Sequence, residues 1–132
     1  MVHALEIIHG MLTPGGTLLD LRPTGIPAEF RGYKAGQVEP LGYIDEVDGF
    51  IEYRQAAWAM EQAVDRGWFR RRSSVLHDFV MHFDSLAELE ADPDLGWSDT
   101  ILTDDVRART AAFGPERMTL TELMHIGVMD RI

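Results

Sequence analysis

Cysteine is absent from the 132 residues of this chain. Disulfides, a thiolate nucleophile and zinc–sulfur sites are therefore excluded, and a cytoplasmic location is expected. No run approaches the roughly 20 uninterrupted apolar residues that cross a bilayer. No basic segment followed by an apolar run stands where a secretory signal would, so neither leader nor membrane span is expected. Basic side chains are scarce: 12 Lys and Arg stand against 22 Asp and Glu, a net charge of −10. Nucleic-acid backbones and anionic membranes call for the opposite sign and are not expected partners. The one basic cluster is Arg66 with Arg70, Arg71 and Arg72. On a strand, Arg70 and Arg72 face one way and Arg71 the other. A charged edge or solvent-facing strand accounts for them better than a continuous anion patch.

What is present is ordinary for a globular protein: 45% hydrophobic and 26% charged residues. The length suits one domain over 1–132, with a core that needs no staples. Leu5, Ile8 and Leu12 recur at helical spacing beside Ala4 and Met11, predicting a one-sided helix over Val2–Met11 that Pro14, Gly15 and Gly16 stop. TLLDL, Thr17 to Leu21, reads as a strand covered on both faces. Glu29–Tyr33 and Gln37–Ile44 read as strands joined around Lys34-Ala35-Gly36, with Pro40 demoting the second to an edge or a bulge.

A helix follows from about Phe50 to Arg66, with Phe50, Tyr53, Ala57, Met60 and Val64 as its buried stripe. Gly67 is placed to end it. Trp68–Phe83 has a period of two, putting Phe69, Val75, Phe79, Met81 and Phe83 on an inner face. Ser85-Leu86-Ala87-Glu88 is a capping box for a helix that stops near Asp92-Pro93. Another helix is predicted over Thr103–Phe113, ending at Gly114-Pro115. Arg117–Met129 reads as a strand, because Met124, Ile126 and Val128 share one face. The fold class is thus α+β: a small mixed sheet of about five strands with three to four helices packed on it.

The order helix, Leu12-x-Pro14-Gly15-Gly16 turn, then TLLDL resembles the segment leading into the fifth strand of class I S-adenosylmethionine-dependent methyltransferases. The strand ending in Phe83-Asp84-Ser85 and the helix after it resemble that fold's sixth strand and next helix. The stretch around His125-Ile126-Gly127-Val128 resembles the seventh strand, which there inserts antiparallel beside the fifth. The resemblance implies the C-terminal half of a Rossmann-like methyltransferase fold. It does not extend to the cofactor. Gly10, Gly15 and Gly16 lack the G-x-G-x-x-G spacing after a strand, and no acidic-ended second strand precedes TLLDL. No cofactor is expected, and only Pro14, Gly15 and Gly16 match by position, as a turn.

Candidate sites are few. Asp20 and Arg22 end TLLDL, at the carboxyl edge of a strand where α/β sheets place ligands; an ion pair across the loop is the plainer reading. Tyr53 and Trp58 on the long helix, with Trp97, would line a ligand pocket or else serve packing. Asp78, His82 and Asp84 share one face of the Trp68–Phe83 strand and would suit a divalent metal. No fourth ligand is evident, so no metal is expected. His77, and His125 unless the fold brings it near His82, read as core histidines satisfied by backbone.

Three functions fit this sequence. The leading one is a non-catalytic methyltransferase-like domain acting through self-association as a homodimer, or through another protein partner. The alternatives are the substrate half of a split methyltransferase and a small-ligand binding domain with its pocket between the sheet and the Phe50–Arg66 helix.

Overall fold

A computed structural model of the chain describes residues 1–46, 50–92 and 100–132. The predicted Trp97 and the Pro93 helix stop lie outside them. The elements run α1 (Val2–Met11), β1 (Thr17–Pro23), β2 (Ala28–Lys34), β3 (Gln37–Glu46), α2 (Ile51–Asp65), β4 (Phe69–Phe83), α3 (Leu86–Ala91), β5 (Thr100–Ile101), α4 (Asp104–Phe113) and β6 (Arg117–Arg131). The α+β class is as the sequence implies, and the ladders with a defined register are antiparallel.

The chain forms two compact units, each with its own core. The first comprises Met1–Gly25, Phe50–His77 and Leu123–Ile132. Here β1 pairs antiparallel with β6 from Thr17↔Asp130 to Pro23↔Met124. Leu5 of α1, Ala59, Met60 and Ala63 of α2, Phe69 and Met129 form the core, with Ile8, Leu12, Leu18 and Val64 packed around it. The small Ala59 and Ala63, four apart, allow close packing of α2 at its buried stripe. That stripe is rotated from the predicted one: Phe50 lies outside the helix as its left-handed N-cap, at φ 64°. Gly67, at φ 71°, follows the C-cap as expected.

The second unit comprises Ile26–Gly49 and Asp78–Glu122. Its hairpin closes through Ala35-Gly36, with Lys34 opposite Gln37 and both turn residues at positive φ, the type I′ geometry that matches strand twist. The register shifts between Phe30 and Arg31, which face Gly42 and Pro40. Leu41 is thus the extra residue of a bulge beside the proline, as Pro40 led one to expect. Phe30, Leu41, Ile44, Phe83, Leu89, Val106, Met118 and Leu120 make the core. Glu88 donates its N–H to Ser85 Oγ at 3.1 Å, while its carboxylate accepts the Asp84 N–H at 2.6 Å, so α3 is capped as predicted. Thr103 caps α4 by accepting the Val106 N–H at 3.4 Å, and Gly114 ends it at φ 61°. Thr103→Ala is expected to cost about 1 kcal/mol, read as a lower urea midpoint at unchanged slope.

β4 departs most from expectation. Phe69 and Phe83 are buried at its ends, but every residue from Arg70 to Val80 is exposed. Val75 and Phe79 are therefore not core, and His77 is exposed rather than buried. Periodicity identifies residues that share a strand face but not whether a second layer covers it. β1 shows the same effect: it alternates instead of being covered on both faces.

Candidate functional site

Antiparallel pairing sorts the β1–β6 side chains onto two faces. One carries Leu18, Asp20 and Arg22 with their partners Met129, Gly127 and His125. Leu18 and Met129 join the core under the helices, and the polar groups follow where that core ends. Gly127 makes room for them: a Cβ there would stand 3.0 Å from His125 Cε1 and 3.3 Å from Asp20 Cβ.

Asp20 is the hub of the cluster. Its Oδ2 lies 3.5 Å from Arg22 Nη2 and 3.3 Å from His125 Nδ1. The Asp20, Arg22 and His125 side chains are only 9%, 16% and 18% exposed. The predicted Asp20–Arg22 ion pair is therefore present, but at charge–charge distance rather than in hydrogen-bond geometry. Asp20 Oδ2, Arg22 Nη1 and His125 Nδ1 are buried and lack hydrogen-bond partners among the described residues. On its far side, His125 Nε2 is 2.7 Å from Ser74 Oγ. Asp20 and His125 meet without hydrogen-bond geometry, so serine, histidine and aspartate do not form the relay of an activated nucleophile here. Ser74 does not line the adjoining cavity, and its contact holds the imidazole by the other ring nitrogen.

That cavity holds about 170 Å³. Arg22 and His125 line it from the strands, Tyr53, Arg54 and Ala57 from the first two turns of α2, and Pro23-Thr24 from the segment leaving β1. Positions 53, 54 and 57 fall on one side of the helix. Of the predicted candidates, Arg22 and Tyr53 meet here and Asp20 braces them from behind. Trp58 does not: it is exposed and lines no part of the cavity. Sequence reasoning missed Arg54, which it did not single out, and His125, read as core. The fold brings His125 to Asp20 and Ser74.

The other candidates are not drawn together. Asp78, His82 and Asp84 are exposed, and no described group of three or more His, Asp or Glu is arranged to hold a metal. A second, open hollow of about 340 Å³ lies at the β2–β3 turn. Its charges are already engaged: Lys34 donates to the Phe113 carbonyl, Glu116 accepts the Ala35 N–H, and Arg117 lies over Tyr33.

No family model, curated protein or solved structure matches this chain. Its function must therefore be read from the two faces of the β1–β6 pair. The second face carries Leu19 and Leu21 opposite Val128 and Ile126. Leu19 and Leu21 are 61% and 63% exposed. Among the described residues β6 is the only strand that pairs β1, leaving its other edge open. No described helix is long and apolar enough to cross a membrane.

Proposed function

We propose that this chain is a non-catalytic methyltransferase-like domain that acts by association, with a second copy of itself as the partner. The observation that carries this reading is the bare apolar face of β1. Leu19 and Leu21 project from a strand with one open edge, and neither lysine nor proline interrupts that stretch to discourage pairing. Such a strand is covered by another chain at little cost, and two-fold pairing is the commonest way. The antiparallel placement of β6 beside β1 is the arrangement the methyltransferase resemblance implies for its last strand, and it supports that part of the reading.

Sedimentation at micromolar concentration tests the proposal. The expected result is a species of twice the 14.9 kDa chain mass, converted to monomer by the double substitution Leu19→Glu, Leu21→Glu. A wild-type monomer would overturn self-association. Calorimetric titration with S-adenosylmethionine is expected to give no heat of binding. Tight binding by the chain alone would overturn the non-catalytic reading in favour of an enzyme.

A further inference from the structure

We infer that the cavity between the β1–β6 end and α2 binds a small uncharged aromatic molecule, the size of a single six-membered ring. The inference is independent of association, because it uses the opposite face of the strands. First, the polar groups around the cavity are turned away from it or held by others. Water reaches neither Arg22 Nη1 nor His125 Nδ1, so neither faces the opening. His125 Nε2 is taken by Ser74 Oγ at 2.7 Å, and Arg22 Nη2 stands 3.5 Å from Asp20. Thr24, Tyr53 and Arg54 have partners of their own. The wall that remains is mostly carbon. A charged ligand would lose its water there with no free counter-charge to replace it.

Second, the lining offers flat partners. Three of its seven described residues, Pro23, Tyr53 and His125, carry rings, and an aromatic ligand can stack on such rings or meet them edge to face. Phe50 stands behind this wall. It holds the left-handed conformation at φ 64°, which a bulky side chain adopts only under constraint, and its ring centroid lies 5.8 Å from that of Tyr53. Strained residues of this kind concentrate at ligand clamps. Third, the volume of about 170 Å³ is close to the ~150 Å³ of a dry apolar cavity that takes up benzene. A nucleotide would not fit inside it.

The test follows thermal unfolding of the full chain, with the ring resonances of Tyr53 and His125, during titration with phenol. Cyclohexanol and benzoate are the comparison arms: the first removes the aromatic face and the second adds a charge. Phenol is expected to raise the Tm saturably and to shift both ring signals, with cyclohexanol and benzoate each binding several-fold more weakly. Ala57→Leu, which fills the cavity from a half-buried helix position, is expected to weaken phenol binding at least tenfold. Tyr53→Ala is expected to weaken it several-fold. Trp58→Ala removes an exposed aromatic on the same helix but outside the cavity, and is expected to leave binding unchanged, as is the Leu19→Glu, Leu21→Glu pair. No saturable response to phenol overturns the inference. So does phenol binding that survives Tyr53→Ala and, where the protein folds, Ala57→Leu. Benzoate or cyclohexanol binding as tightly as phenol overturns the assigned ligand chemistry.

Discussion

Phe83→Ala is expected to cost about 3–5 kcal/mol, as for deletion of a buried aromatic ring, whereas Phe79→Ala on the same strand is expected to cost less than about 1 kcal/mol. The two rings have the same parity in β4, and their alternation in sequence gives no reason to separate them. The structure does. Phe83 is 4% exposed within the cluster of Phe30, Leu89, Val106 and Met118, while Phe79 is 51% exposed. Removing the Phe83 ring leaves a hole in close-packed surroundings; removing the other uncovers little. Urea melts of the two variants check the contrast. Equal losses would mean that β4 is covered along its middle.

Gly42→Ala is the second large effect, expected at about 2 kcal/mol or more. Gly42 sits at φ 140°, a conformation that side-chain-bearing residues adopt only at a cost of about 1–3 kcal/mol. A Cβ there would also stand 2.7 Å from Val106 Cγ2, an overlap worth a further ~1–3 kcal/mol. The close approach lies beside the bulge residue Leu41. The two contributions separate in a double-mutant cycle. Val106→Ala in the Gly42→Ala background is expected to relieve the overlap and leave the backbone strain, so that the pair costs less than the sum of the singles. Strict additivity would mean that the clash is not felt.

Local chemistry was legible in the sequence, and coverage was not. Ser85, Thr103 and Gly114 at helix ends, Ala35-Gly36 in the hairpin and Pro40 at the bulge all act within a few residues of themselves, so their neighbours in sequence suffice to read them. Leu19, Leu21, Val75 and Phe79 depend instead on whether another layer lies over their strand, which no period encodes. The candidate site divides in the same way. Arg22 and Tyr53 stood out by position, one at a strand end and one on a helix stripe. His125 joined them only because the β1–β6 register sets it opposite Arg22, a long-range pairing. Ser74, exposed in the middle of β4, had no local mark at all.

β6 has a consequence for how the chain acquires its structure during synthesis. Its first half supplies Met118 and Leu120 to one core, and its second half supplies Met129 to the other. It follows every other element in the order. A ribosome delivering the chain from the N-terminus can release the β2–β3 hairpin early, since that pairing is local and fast. Neither core can close until β6 emerges, and until then Phe30, Leu41 and Leu5 have no complete place to go. The nascent chain therefore carries that apolar surface uncovered until β6 is made, the period in which chaperones engage and aggregation begins. A premature stop within β6 would then deprive one core of its last strand while leaving the other supplied, and the position of the stop would decide how much of the protein is lost.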